Sequence, residues 1–120
     1  MGYETTLYIG HPLDENDRPQ YVNVVASVYL GKVGPHEGIG LRTPNEPRYY
    51  IVPFVGPHLH SVSVAHDDYG DVLSVGTVDE VICGLISLPD SSGVVGVALA
   101  TLRALREERI PNLVVLGYGH

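Results

Sequence analysis

The chain has 120 residues, 44% of them hydrophobic and 18% charged, which suits one globular domain and is too short for two. Fourteen acidic against seven basic side chains give a formal net charge of −7, which argues against nonspecific binding to duplex nucleic acid or an anionic membrane, since such binding requires clustered cations. No apolar run approaches the roughly 20 residues of a membrane span, no secretory signal is visible, and one cysteine fits a reducing compartment, so we expect a cytoplasmic protein.

The first two predicted elements are strands. Residues Tyr3 to Gly10 alternate loosely and are rich in Thr, Tyr and Ile, and Tyr21 to Leu30 alternates clearly. The even-numbered residues of the second strand are apolar. The odd-numbered residues include Tyr21, Asn23, Ser27 and Tyr29. We therefore expect an apolar face toward a core and a tyrosine-bearing face toward water or a ligand.

A segment rich in glycine and proline follows from Gly31 to Pro47, and its lack of apolar periodicity predicts a long loop. Loops of this length in compact domains are usually functional or disordered. Cations and tyrosines flank or occupy the segment, namely Lys32, Arg42, Arg48, Tyr49 and Tyr50. Guanidinium groups beside tyrosine rings and glycine backbone suit a small phosphorylated ring ligand. The alternative is a mobile surface loop.

Residues Arg48 to Val55 and His58 to Ala65 have the composition of two further strands joined at a Gly-Pro pair. His58 and His60 would then share one face about 6 to 7 Å apart, within reach of one metal ion. A metal-dependent hydrolase would use this pair, but a bare His-x-His is a weak motif. The alternative is a pair of half-exposed histidines that titrate near neutral pH.

The second half of the chain predicts a turn and then helices. Asp67 to Asp71 has the composition of a turn. Thr77 and Glu80 have the spacing of a capping box, and apolar side chains then recur at helical spacing as far as Ile86. Cys83 lies among these apolar positions and is predicted to be a small core residue.

A second helix is predicted from about Ser91 to Arg109, with Asp90, Ser91 or Ser92 as its cap and Pro111 stopping it. The β-branched ending, Asn112 to His120, predicts a last strand. The order is therefore four strands, two helices and one strand. This order indicates an α+β domain, a mainly antiparallel sheet of about five strands with two helices packed on one face.

Ser91 and Ser92 also offer a second anion site, because free backbone amides at a helix start attract phosphate. The Gly-Lys-Ser/Thr of a phosphate-binding loop is missing, and serines at helix starts are more often caps. No hydrolase serine elbow or activated cysteine is visible, so we assign no catalytic residue, expect no cofactor and favour a protein that is not an enzyme.

Acidic residues form three short clusters, which are Asp14, Glu15 and Asp17, then Asp67, Asp68 and Asp71, then Asp79 and Glu80. Such charges usually keep a protein soluble. Together with the tyrosines of the second strand, they also suit an inhibitor that binds a protein or mimics nucleic acid.

Four segments resemble a group of small phage proteins; they are Met1 to Ile9, Val24 to Lys32, Asp68 to Ile82, and Val114 to His120. That group shares a Met-Gly-Tyr start, a second strand running into a lysine and a Tyr-Gly-His-like end. It has no assigned activity, so no functional residue is transferred. The resemblance spans most of the chain and implies an accessory protein that acts in the host cytoplasm by blocking a host process.

Within that setting, similar anti-defence sponge proteins form oligomers with nucleotide pockets built from arginines, tyrosines and flexible loops. The first hypothesis is therefore a non-catalytic sponge that sequesters a small anionic, nucleotide-like immune signal, such as a cyclic nucleotide, at the glycine-rich segment. The second is an acidic inhibitor of a host protein, and the third is the metal-dependent hydrolase. Eight tyrosines with one phenylalanine and no tryptophan also favour a homo-oligomer, because tyrosine suits interfaces.

Overall fold

A computed structural model describes residues 4–12, 20–32, 36–44, 50–52, 62–64, 66–88, 93–110 and 112–120. The strands are β1 (Thr5–Pro12), β2 (Gln20–Gly31), β3 (Tyr50–Val52), β4 (Val62–Val64), β5 (Ser74–Thr77) and β6 (Val114–Gly119). The helices are a 3₁₀ helix (His36–Ile39), α1 (Val78–Ile86) and α2 (Val94–Glu107). Among the helices of these ranges, none combines the length and the apolar composition of a membrane-spanning segment.

The strands form one sheet in the order β4-β3-β2-β1-β6-β5. Its larger part, β2-β1-β6-β5, is antiparallel throughout, whereas β3 joins β2 through a short parallel pairing. The predicted α+β class is confirmed, but the described residues contain six strands and not about five. The prediction missed β5 because Ser74–Thr77 is only four residues long, contains a glycine and runs directly into α1.

The helices pack on one face of the sheet around a single cluster of buried apolar side chains. Strands β1, β2 and β6 contribute to this cluster through Leu7, Ile9, Val28, Leu30 and Val115. The helices contribute Val81, Leu85, Ala98 and Leu102. The predicted apolar parity of β2 is therefore confirmed at Val28 and Leu30, while Tyr29 between them is 48% exposed.

The glycine-rich segment is more ordered than its composition predicts. It contains the 3₁₀ helix, and Ile39 and Leu41 are each only 1% exposed, within the core. The predicted long loop therefore contains a short 3₁₀ helix and two core residues that the sequence pattern did not indicate. Isolated apolar residues between glycines give no periodicity, although each can still be buried by tertiary contacts.

The helix starts agree with prediction in one case and differ in the other. Thr77 and Glu80 form the predicted capping box, with 3.1 Å bonds from each backbone amide to the other side chain. At α2 the cap is Gly93 in a left-handed conformation, with no side-chain bond, so the predicted cap at Asp90, Ser91 or Ser92 was wrong. The prediction that Cys83 is a core residue was wrong. Cys83 is exposed, because the buried stripe of α1 passes through Val81, Ile82 and Leu85 and leaves position 83 outside it.

Candidate binding face of the sheet

The face of the sheet opposite the helices carries polar and aromatic side chains from three strands. In the register, Thr6 of β1 lies between Tyr29 of β2 and Tyr118 of β6. Glu4 and His120 exchange backbone hydrogen bonds of 3.0 and 2.8 Å one step further along, so their side chains share this face. We call this surface the tyrosine–carboxylate face; its members are Glu4, Thr6, Tyr8, Tyr29, Asp68, Tyr118 and His120.

The first pair on this face is Tyr29 with Glu4. The Tyr29 hydroxyl donates a 2.5 Å hydrogen bond to Glu4 Oε1, and the tyrosine ring is about half exposed. This hydrogen bond is the main reason that the pKa of Tyr29 is raised above its usual value, since ionisation would remove the donor. The phenol therefore keeps its proton at neutral pH and holds the carboxylate in one position.

The second pair is Tyr118 with Asp68. The Tyr118 hydroxyl donates a 2.6 Å bond to Asp68 Oδ1, and Tyr118 is only 6% exposed. Burial raises the pKa of Tyr118 most, and the hydrogen bond and negative charge of Asp68 add to the shift. Tyr8 packs against Tyr118 edge to face, with ring centroids 6.2 Å apart, and its pKa is raised by burial and then by Asp68.

His120 lies between the two pairs. Its Nε2 is 2.8 Å from the Thr6 hydroxyl oxygen, at hydrogen-bonding distance. Its ring centroid is 6.3 Å from that of Tyr29 and 6.5 Å from that of Tyr118. The rings of Tyr29, His120 and Tyr118 therefore lie side by side, and the first and last of them each donate a hydrogen bond to a carboxylate.

A tight turn places Asp68 beside the end of β6. Within it, Asp67 Oδ1 accepts hydrogen bonds from the backbone amides of Tyr69 (2.9 Å) and Asp71 (3.1 Å), as the composition of this segment predicts. The backbone amide of Asp68 itself donates a 3.1 Å bond to the carbonyl of Gly119. Asp67 is buried and holds the turn, whereas Asp68 is exposed and presents its carboxylate on the face.

The carboxylates of Glu4 and Asp68 have no basic counter-charge in the described part of the chain. The two ion pairs found there join Arg42 to Glu80 at 3.3 Å and Arg106 to Asp79 at 3.6 Å. Both pairs are exposed and lie away from this face. Hydrogen-bond donors orient the two carboxylates, and no lysine or arginine of the described ranges neutralises either of them, which favours binding of a cation.

The structure does not bring together the two predicted anion-binding cations whose side chains it describes. Lys32 is exposed just after the end of β2. Arg42 pairs through its backbone with Val75 of β5, and its exposed side chain bonds to Glu80. Strands β1, β6 and β5 lie between the two positions, which corresponds to about 19 Å at ordinary strand spacing.

Six other predicted site residues lie outside the described residues, namely Arg48, Tyr49, His58, His60, Ser91 and Ser92. For Tyr50 only the backbone is described, paired with Gln20 and Val64 in the sheet. The anion pocket and the histidine metal pair therefore stay predictions. Among the residues that are described, no group of three or more His, Cys, Asp or Glu side chains could hold a metal ion.

Sequence reasoning identified Tyr29 as part of a ligand-facing surface but missed most of its neighbours. A signal for them exists, since polar and aromatic residues alternate at Glu4, Thr6 and Tyr8 and again at Tyr118 and His120. The alternation places each set on one face of its strand. It does not show that the two strands are adjacent, and β1 and β6 lie at opposite ends of the sequence.

Comparison with known proteins identifies no relative. No protein-family model matches the chain, and neither the curated proteins nor the solved structures contain a significant match. The tyrosine–carboxylate face is the described surface on which hydrogen bonds, aromatic contacts and uncompensated charge coincide, and it is the candidate site.

Proposed function

We propose that this protein is a non-catalytic binding protein whose tyrosine–carboxylate face takes basic side chains of a protein partner. One observation carries the proposal: Tyr29–Glu4 and Tyr118–Asp68, bonded at 2.5 and 2.6 Å, lie on one face of the sheet. In the described residues neither carboxylate contacts a lysine or arginine of the chain itself. This corresponds to the second of the sequence-based hypotheses, an acidic inhibitor that binds a protein.

The chemistry of the face matches lysine and arginine. A carboxylate already held by a phenol has remaining lone pairs that accept bonds from a guanidinium or ammonium group. The exposed ring of Tyr29 and the adjacent ring of His120 can receive the same cation through its attraction to an aromatic face. An anionic ligand would instead meet two carboxylates that no described lysine or arginine neutralises, so a phosphate does not suit this surface.

The nucleotide sponge remains a separate proposal for a different part of the chain. It depends on Arg48 and Tyr49 and on a subunit contact, all outside what the structure describes. A thermal shift with cyclic nucleotides that is abolished by Arg42→Ala and unaffected by Glu4→Gln would support the sponge, as a site separate from the tyrosine–carboxylate face.

The direct test measures the affinity of the protein for short peptides of arginine, lysine or glutamate. We expect the two basic peptides to bind and the glutamate peptide not to bind. The double variant Glu4→Gln with Asp68→Asn should weaken binding about 10-fold or more, because each lost charge-assisted contact is worth on the order of 1 kcal/mol. The charge reversal Asp68→Lys should abolish it.

The matched control is Glu107→Gln with Glu108→Gln, which removes the same charge from exposed positions at the end of α2. If this control weakens binding as much as the face variant, or if no basic peptide binds, the proposal is wrong. Asp67 is not a suitable test position, because its carboxylate holds the turn and its loss would disturb the fold.

A further inference from the structure

The outer edge of β2 lacks a neighbouring strand over much of its length in the described residues. On one side, β1 pairs with β2 from Val22 to Gly31. On the other side, β3 pairs only with Gln20 and Tyr21. The stretch from Val25 to Gly31 therefore has, within the described ranges, one free edge.

The backbone groups that point to this edge follow from the register. Glu4 exchanges both of its backbone hydrogen bonds with His120 of β6. Successive residues of a strand direct their backbone groups to opposite sides, so Leu7, three residues further on, directs its groups to β2. Leu7 lies opposite Val28, whose backbone groups must point back toward β1. The amides and carbonyls of Ser27 and Tyr29 consequently point outward, and no described residue pairs with them through the backbone.

A groove of about 460 Å³ runs along this edge. Ser27, Val28 and Tyr29 form its strand side, and the start of α2 forms its other side through Gly93, Val94, Val97 and Thr101. Val97 is 63% exposed there, which is unusual for valine. Tyr29 thus belongs both to the groove and to the tyrosine–carboxylate face.

We propose that the partner adds an extended strand to the edge of β2, with apolar and basic residues alternating along it. The proposal rests on the function proposed above and specifies the chemistry of the partner. Side chains of an added strand point alternately to the two faces of the sheet. One set enters the groove against Val97, and the other set lies over Tyr29 and Glu4, where lysine or arginine is complementary in charge.

Lys32 limits where the basic residues lie. Its exposed ammonium group follows the end of β2 and repels a further cation at that end. The basic residues of the partner are therefore expected beside Ser27 and Tyr29 and not beyond Gly31.

The probe is a synthetic peptide of about seven residues in which lysine and valine alternate, long enough to pair with the open stretch. A peptide of the same composition with the lysines and valines in separate blocks is the control for charge. In the free protein we expect fast hydrogen exchange at the Ser27 and Tyr29 amides, and protection of both when the alternating peptide is bound.

Methylation of the peptide backbone tests the pairing itself. For an antiparallel strand, the residues opposite Ser27 and Tyr29 put their side chains on the same face, so the lysine amides donate to β2 and the valine amides do not. Methylating the lysine amides should then weaken binding about 10-fold or more, and methylating the valine amides should change it little. The reverse result would indicate a parallel strand.

The groove is tested with Val97→Asp, which should weaken binding of the alternating peptide about 10-fold. The control is Ala100→Asp, at an exposed helix position that does not line the groove.

Equal binding of the alternating and block peptides, with no effect of Val97→Asp or of either methylated set, would overturn the inference and leave the proposed function standing. If no basic peptide binds, both are wrong. A concentration-dependent dimer that Val97→Asp abolishes would show that a second copy of this chain occupies the edge, which also overturns it.

Discussion

Tyr118 combines burial with a hydrogen bond to an exposed carboxylate. Its pKa is raised in the folded protein, by burial first and by Asp68 second. Below about pH 10 the tyrosine is protonated whether the chain is folded or unfolded, so it causes no pH dependence there. Above that pH the unfolded chain loses the proton first, and the free energy of unfolding must fall as pH rises.

We therefore predict that chemical unfolding measured from pH 8 to pH 11 shows decreasing stability at the alkaline end, with a smaller decrease in Tyr118→Phe. Asp68→Asn should remove only part of the difference, because burial is the larger cause of the shift. An alkaline decrease of the same slope in Tyr118→Phe would show that this hydroxyl is not responsible.

Two residues of the tyrosine–carboxylate face show which parts of the site the sequence pattern can predict. The exposure of Tyr29 follows from strand parity alone, since both of its neighbours are buried. The contact between Tyr118 and Asp68 joins residues 50 positions apart and depends on a turn that bonds to the end of β6. Local pattern predicts that turn but not what it covers, so the second carboxylate of the face could not be predicted.

At the scale of elements, close packing of the 3₁₀ helix against α1 is set by glycine. A Cβ added at Gly84 would lie 2.6 Å from Ile39 Cα and 2.7 Å from Gly40 N, which are backbone atoms that cannot rotate away. Helix propensity alone predicts that Gly84→Ala stabilises α1 by up to about 1 kcal/mol. The contact predicts the opposite.

We expect Gly84→Ala to lower the free energy of unfolding by about 1 to 3 kcal/mol, because the backbone of the 3₁₀ helix must move away from α1. Gly38→Ala is the matched control, since an added Cβ there meets nothing within 4 Å and should leave stability almost unchanged. Urea unfolding of both variants measures the difference. Stabilisation by Gly84→Ala would mean that the two elements are not packed this closely.

Element prediction succeeded where local interactions decide the structure and failed where tertiary contacts do. The capping box of α1 is a contact within four residues, and it is found as predicted. The strand β5 is held by β6 on one side and by the bridge between Arg42 and Val75 on the other, although its own four residues carry no strand pattern. The burial of Ile39 is likewise due to α1, which lies later in the chain.

For the whole molecule, the net charge of −7 affects how a cationic partner arrives. Long-range attraction raises the association rate constant, whereas contacts at the face determine how long the complex lasts. A comparison of two double variants separates the two effects. One variant combines Glu4→Gln and Asp68→Asn, and the other combines Glu107→Gln and Glu108→Gln. Both double variants carry the same net charge, but only the first alters the tyrosine–carboxylate face.

We predict from stopped-flow measurements with an arginine peptide that both double variants slow association to a similar, modest extent, and that only the face variant speeds dissociation, by about 10-fold. Raising the salt concentration from about 0.02 to about 0.5 M shortens the range of charge interactions several-fold. It should therefore reduce the association rate constant of all three proteins and make their values converge. The difference in dissociation should persist, because the peptide's contacts with Glu4 and Asp68 are short. Equal dissociation rates for the two double variants would place the binding surface elsewhere on the molecule.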